Sequence, residues 1–517
     1  MNNPEKPKTM NLKRTMLAAL VAAVLIPGGL WARGKTGNAR IKVDIERQKG
    51  EIDRNIYGNF VEHLGRCIYG GLYEPGSPLS DEKGYRRDVL EATRALRTSL
   101  VRWPGGNFVS GYHWEDGIGP QAGRPTRIDL AWGFRESNAF GTDEFVEWCR
   151  RADTEPYFCV NLGTGTMDEA RNWVEYGTYW SDLRRRNGYE KPHKVKYWAL
   201  GNEMDGQWQM GHKNAEDYGK FALETAKLMK WIDRDIKLVV AGSSDYNGNW
   251  IDWNRTVLEY LKNHADYIAL HNYVENRSND YYKFMATTRF AEKAIRITEG
   301  LIAEAMTKAE RKDPIYIAFD EYNVWYRAKG EEGNEEVYNL EDALVVSTFL
   351  NIFVRNAHVV KMANMAQLVN VIAPIFSTKD GSWYQTIFYP LQLFATHCHG
   401  TSLDTFVDCD TYALGRERIP YLDVSAAYDN EAGEVIVNVT NRHREQAITT
   451  DILCQTGRFD GKATVYEVNG PDIKAENSMT RQAVKTVTKE AQARGDRFTY
   501  AFLAHSFTLI RIPVVTD

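Results

Sequence analysis

Val195-Lys196-Tyr197-Trp198-Ala199-Leu200-Gly201-Asn202-Glu203 is a short apolar run that finishes on a polar pair, and Ile315-Tyr316-Ile317-Ala318-Phe319-Asp320-Glu321-Tyr322-Asn323 has the same character. Each reads as a buried strand whose end reaches a rim. Working outward, apolar runs at 55–60, 99–103, 156–162, 195–200, 237–241, 267–271, 315–319 and 359–365 alternate with longer helical patterns. Residues 143–152 follow Gly141-Thr142 and turn Phe145, Val146 and Trp148 toward a sheet. Residues 215–231 place Tyr218, Phe221, Ala222, Thr225, Leu228 and Met229 on one apolar stripe, and 338–356 is a third long helix. Repeated β-α units of this kind predict an α/β fold, a closed (β/α)₈ TIM barrel over residues 50–387.

After about residue 388 the helical period gives out. Runs at 422–428, 434–440, 446–451, 462–468, 497–502 and 506–512 alternate polar and apolar residues between turn-forming Gly, Asn and Asp. They predict an all-β C-terminal β-sandwich over 388–517, with one more strand added from 38–49.

The chain has 517 residues, 43% hydrophobic and 26% charged, an ordinary globular composition. Its formal net charge of −5 gives no electrostatic reason for a nucleic-acid partner. Lys6, Lys8, Lys13 and Arg14 precede an apolar run at 16–26 that Pro27-Gly28-Gly29-Leu30-Trp31-Ala32 breaks. That pattern predicts a signal peptide over 1–32, and hence a protein exported to the periplasm or the medium, with no stable membrane association after cleavage. Six cysteines are sparse at this length and match no clustered metal site; whether Cys398 and Cys409 bridge is open.

Two carboxylates brought to one barrel rim from distant strands are the equipment of glycosidic bond cleavage, one giving a proton and the other acting as nucleophile or base. Around them the chain carries Gly58-Asn59-Phe60-Val61-Glu62-His63-Leu64-Gly65-Arg66, Val101-Arg102-Trp103-Pro104-Gly105-Gly106-Asn107-Phe108, Trp198-Ala199-Leu200-Gly201-Asn202-Glu203-Met204, His271-Asn272-Tyr273, Asp320-Glu321-Tyr322-Asn323-Val324-Trp325-Tyr326 and Met362-Ala363-Asn364-Met365-Ala366-Gln367-Leu368-Val369-Asn370. With these six segments, in order and each at an expected strand end, the chain resembles the family 51 glycoside hydrolases, retaining α-L-arabinofuranosidases. The resemblance runs from about residue 41 to the C-terminus. One departure is Tyr322, where many members have Trp.

The resemblance implies exo-acting, retaining hydrolysis of terminal α-L-arabinofuranosyl residues from arabinose-containing glycans, with Glu203 as general acid/base and Glu321 as nucleophile. It implies substrate-binding roles for Glu62, Asn107, Asn202 and Gln367. Tyr273 is placed to hydrogen-bond Glu321 as well as to line the substrate site, while Arg102 and His271 support the charged pocket; Glu62 has the alternative of pairing with Arg102. Such chemistry calls for no cofactor and no metal. The family often forms homo-oligomers, but no motif here fixes a number. Segments 111–138, with Trp114 and Trp132, and 206–212, with Trp208, are candidate pocket walls. The Gly105-Gly106 pair is too short for a phosphate loop and reads as backbone freedom at a crowded rim. The rival readings are a related barrel β-xylosidase or endo-glucanase, and a secreted carbohydrate-binding protein without catalysis.

Overall fold

The computed structural model describes residues 38–329 and 334–516, so the leader expected over 1–32 lies outside the described residues. Eight strands close a barrel in chain order: β1 (Gly58–Phe60), β2 (Leu100–Trp103), β3 (Glu155–Val160), β4 (Tyr197–Leu200), β5 (Lys237–Ser243), β6 (Tyr267–Val274), β7 (Tyr316–Val324) and β8 (Val360–Ala366). Each is one of the apolar runs expected from the sequence, and neighbours pair in parallel. The first run is part turn: the Asp53 carboxylate accepts from the Asn55 N–H, and Arg54–Tyr57 winds as a 3₁₀ helix before β1 begins.

Strand alternation sorts the side chains. Leu100, Tyr157, Cys159, Tyr197, Ala199, Val239, Ala269, Ala318 and Met362 fill the barrel interior. Their neighbours Val101, Phe158, Trp198, Leu200, Val240 and Ile317 face the helices in a second, larger core. The helix stripes seen in the sequence face that core: Thr142–Ala152 buries Phe145, Val146 and Trp148, and Ala215–Ile232 buries Tyr218, Ala222 and Met229. Leu340–Arg355 starts at Asn339, whose side chain accepts from the Asp342 N–H while Asp342 accepts from the Asn339 N–H.

The C-terminal region is an 11-stranded sheet system. Ala39–Val43 joins it as the sequence suggested, lying between Phe406–Asp408 and Ile448–Cys454. Two features were not legible. Lys485–Gly495 pairs with residues 459–469 of the strand Arg458–Asn469, yet its residues are mostly exposed and polar and carry no apolar alternation. Helical structure also persists past residue 388, because Phe388–His397 is an α-helix. Its residues Phe388, Tyr389, Pro390, Leu391, Leu393, Phe394 and Ala395 are all buried, and a helix apolar all round shows no period.

That helix and Leu340–Arg355 tie barrel to sandwich. The larger core runs without a break from the barrel helices to Ala427, Ile436, Val468, Phe507 and Leu509 of the sheets. Phe394 stacks on Phe507 at 5.2 Å between ring centroids. A buried polar chain crosses the same border: Asn438 Nδ2 donates to Ser425 Oγ at 3.1 Å, and Ser425 Oγ donates to Asn351 Oδ1 at 2.7 Å. All six cysteines are free thiols, Cys398 and Cys409 included. Among the described residues no helix is long and apolar enough to cross a membrane.

Because Phe394 is fully buried between the two units, Phe394→Ala should cost about 3–5 kcal/mol in urea unfolding. Barrel and sandwich should lose stability together; a loss confined to one of them would contradict a shared core.

Candidate active site

The C-terminal ends of the barrel strands surround a cavity of about 580 Å³. Glu62, Asn107, Glu203, His271, Tyr273, Glu321 and Gln367 line it. Arg102 and Asn202 lie just behind this lining, each about 1% exposed.

Two local devices aim the glutamates. After β4 the chain turns sharply: Gly201 has φ 81° and Glu203 itself φ 45°. A Cβ on Gly201 would stand 3.1 Å from Leu162 and Met204, so both the space and the left-handed backbone call for glycine there. A left-handed glutamate is strained, a feature that clusters at functional sites. In β7 the pairing register slips between Phe319 and Tyr322. Plain alternation would send Asp320 and Glu321 to opposite faces; the irregularity lets both reach the barrel axis. Tyr322 then returns outward, packed against Phe349 and Phe353 at 5.2 and 4.9 Å.

The polar groups form one connected network. Arg102 donates to Glu321 Oε1 at 2.5 Å and to Asn202 Oδ1 at 2.6 Å, and its Nε stands 3.7 Å from Asp320. The Tyr273 hydroxyl donates to Glu321 Oε2 at 2.8 Å. His271 bridges Glu203, at 2.9 Å from Nδ1, and Asp320, at 3.2 Å from Nε2. The Trp208 indole donates to the other Glu203 oxygen at 2.7 Å, and Tyr157 donates to Asp320 at 2.8 Å.

Burial opposes charge on His271, but Glu321, Asp320 and Glu203 outweigh it and hold the imidazole well above its usual range. Burial likewise opposes the Asp320 charge, and Arg102, His271 and Tyr157 together hold its carboxyl low. One oxygen of Glu203, one nitrogen of His271 and one oxygen of Glu321 lie within 4.8 Å of one another, a set that could hold a cation. In its protonated form His271 donates through both nitrogens to these carboxylates and keeps no lone pair for a metal.

Elsewhere in the cavity lining, Glu62 Oε1 accepts from the Phe108 N–H at 3.0 Å and the Trp132 indole at 2.9 Å, while Gln367 donates to Oε2 at 3.3 Å. Glu62 does not pair with Arg102. Gly105 and Gly106 are explained by this carboxyl, since a Cβ on Gly106 would lie 2.7 Å from Glu62 Oε2. Asn107 lines the cavity with its amide unpartnered among the described residues. Asn202 does not: its oxygen is taken by Arg102, and its Nδ2 reaches only Gln209, at 3.5 Å.

Of the expected wall residues, Trp132 and Trp208 line the cavity, whereas Trp114 is buried against Trp173 at 5.9 Å. Sequence reasoning gave no role to Asp320, Tyr157, Trp325 or Tyr246. Asp320 was hidden by the alternation rule, and Tyr157 belongs to an interior layer that reads as core.

Comparison with known proteins points one way. Residues 92–293 match the α-L-arabinofuranosidase 1 domain and residues 320–506 the α-L-arabinofuranosidase C-terminal domain. An intracellular exo-α-(1→5)-L-arabinofuranosidase 1 of Bacillus subtilis is 42% identical over 86% of this chain and 93% of its own. The intracellular exo-α-(1→5)-L-arabinofuranosidase of Halalkalibacterium halodurans is 40% identical over 92% and 99%. The α-L-arabinofuranosidase of Thermotoga maritima, solved as an arabinose complex, superposes with a TM-score of 0.84 at 39% identity, covering 92% of this chain and 99% of that one.

These names correct one expectation. Both bacterial relatives are named intracellular, which overturns the readings of export, secretion and a signal peptide. A basic stretch before a short apolar run is a compositional pattern, and composition alone does not establish translocation.

The Glu62 carboxyl gives the site a pH signature. Burial pushes it up to about 8 from the ordinary 4.5, against the pull of the Phe108 and Trp132 donors. The folded state therefore binds a proton that the unfolded state has released, and stability should fall as pH rises from the unfolded value toward the folded one. The slope should approach about 1.4 kcal/mol per pH unit at its steepest. Glu62→Gln should remove that contribution; denaturant midpoints of the two proteins between pH 5 and 8 would check it.

Proposed function

The chain belongs to the α-L-arabinofuranosidases of glycoside hydrolase family 51, and from that membership we propose how its residues divide the work of removing terminal α-L-arabinofuranosyl groups from arabinose-containing glycans. The observation that carries the proposal is the pair Glu203 and Glu321, with oxygens within 4.8 Å across one cavity. An inverting pair needs about 6.5–9.5 Å between carboxyls to admit a water, whereas a retaining pair stands at about 5–5.5 Å.

In the proposed first step Glu321 attacks the anomeric carbon while Glu203 protonates the departing oxygen. Arg102 and Tyr273 grip one oxygen each of Glu321, so the nucleophile is oriented before substrate arrives. In the second step Glu203 takes a proton from a water whose oxygen bonds to the anomeric carbon, breaking the ester to Glu321 and releasing the sugar with its configuration retained. His271 and Trp208 hold Glu203 through both steps.

Glu62, Asn107 and Gln367 supply hydrogen bonds to the furanose hydroxyls. A hydroxyl buried without a partner costs about 1–3 kcal/mol, so this set selects the sugar as well as holding it. Asn202 lies behind the lining, its oxygen bracing Arg102 and its Nδ2 turned to Gln209 at 3.5 Å, so its part in sugar binding is to position Arg102. The hairpin Arg127–Ile128 and Arg135–Glu136, which carries Trp132, and the loop with Trp208 wall the cavity in a way that suits one terminal sugar rather than a continuous chain. The relatives compared are arabinofuranosidases, which sets aside the β-xylosidase, endo-glucanase and non-catalytic readings.

Azide rescue tests the division of roles. In Glu203→Ala the glycosyl-enzyme still forms from substrates with good leaving groups, and azide entering the vacated space should give the α-configured glycosyl azide. In Glu321→Ala the first displacement is lost, and azide should give the β product. Proton NMR of the two azides distinguishes them; an inverted product from Glu203→Ala, or a retained one from Glu321→Ala, would reverse the assignment.

A further inference from the structure

A second cavity, of about 410 Å³, opens where barrel and sandwich meet. One wall is the helix Arg87–Leu96, the floor is the strand Gly381–Tyr384, and the other wall is the hairpin Asn477–Ser478 and Arg481–Gln482. It lies within the size range of small-molecule sites, about 300–1,000 Å³.

Two aromatic residues of that strand line it, Trp383 and Tyr384; as neighbours in a regularly paired strand they project to opposite faces, and each ring is backed by another. Trp383 stacks on Phe376 at 4.5 Å, and Tyr384 lies parallel to Phe388 at 3.8 Å. Rings braced from behind present a flat, rigid surface at little entropic cost, the form that suits the C–H face of a sugar. The Trp383 indole N–H is buried without an acceptor, a costly condition for a donor at a cavity wall.

The groups above the rings are polar and of both signs. Glu91 and Arg481 are exposed and make no hydrogen bond or ion pair among the described residues. Burial, and then the Glu91 charge, raise the Tyr384 hydroxyl above its usual range. Ser382 adds a hydroxyl, and Gln482 an amide whose nitrogen already donates to the Tyr389 hydroxyl. The lining carboxylates are Glu91 and Asp88, and the Asp88 charge is met by Arg86, which leaves one carboxylate and one guanidinium, too little for an ion receptor. They offer acceptors and donors for a neutral, hydroxyl-rich ligand.

We propose that this groove is a second glycan-binding site, holding a neutral arabinofuranosyl oligosaccharide by stacking on Trp383 and by hydrogen bonds to Glu91 and Arg481. The identity of the glycan rests on the catalytic reading above; the site itself does not. Its floor is also the continuation of the active-site wall. Gln367, Val371 and Ile372 line the catalytic cavity, and the chain passes from them directly into the hairpin Ile375–Thr378 and Gly381–Tyr384. Asn370 and Ser377 clasp the two ends, with the Ser377 N–H donating to Asn370 Oδ1 at 2.7 Å. A bound oligosaccharide would thus be held on the segment that also shapes the catalytic cavity.

Calorimetric titration of the full chain carrying Glu321→Ala with linear α-1,5-arabinopentaose tests the proposal, because this background does not consume the probe. Two classes of site are expected, and excess free arabinose should suppress only the one in the catalytic cavity. Adding Trp383→Ala should abolish the other class. Glu91→Ala, an exposed change that leaves the fold alone, should weaken it by about fivefold. In the otherwise wild-type chain, Trp383→Ala should leave kcat/KM on an aryl α-L-arabinofuranoside within about twofold. A single class of site, or a second class that neither substitution moves, would overturn the proposal. Hydrolysis of the aryl substrate by the wild type is read separately and bears on the catalytic reading alone.

Discussion

The buried guanidinium of Arg102 is the constraint on which the site depends. It sits at the end of β2 and touches residues carried by β7 and by the turn after β4, so one side chain fixes the relation of three strand ends. Burying a charge is expensive, and only close pairing with good hydrogen bonds offsets it. Arg102 meets that condition through Glu321, Asn202 and Asp320, with the Phe60 ring 4.7 Å beneath it. Replacing it by an uncharged residue would leave Asp320 and Glu321 buried with His271 as their remaining cation. Loss of one partner from such a buried pair costs about 3–5 kcal/mol, and here the cost would fall on the reacting group.

His271 completes the balance from the other side. Arg102 and His271 face Glu203, Glu321 and Asp320, two cations among three carboxylates. Asp320 touches both cations and is therefore a structural counterion to the pair, although it does not line the cavity. The lining around Glu62 obeys a different rule. There Glu62 is crowded by glycine backbone and neutral donors, and burial pushes its carboxyl well above the ordinary range.

Most of the barrel was legible because its evidence is periodic. The eight apolar runs, the three helix stripes and the alternation that points Arg102 inward are local patterns, and each survives in the fold. The two glutamates stood out as strand-end polar residues and, with the neighbouring motifs, fixed the family. What stayed hidden was non-local or irregular. The register slip in β7 brings Asp320 to the axis against the alternation rule. The helix Phe388–His397 is apolar on every side, and the strand Lys485–Gly495 is polar on both, so neither has a period to read. The reading of the N-terminal residues as an export signal failed for a related reason: charge and hydropathy over a short window are weak evidence of destination.

The central claim is that Glu321, held by Arg102 and Tyr273, forms the covalent bond to the sugar. The most direct measurement is to trap the glycosyl-enzyme with an activated arabinofuranoside whose second step is slow, digest the protein, and locate the added mass. The account predicts a single label, on the Glu321 carboxylate, in a stoichiometry of about one sugar per chain. A label on Glu203, on Glu62 or on any other residue would contradict it.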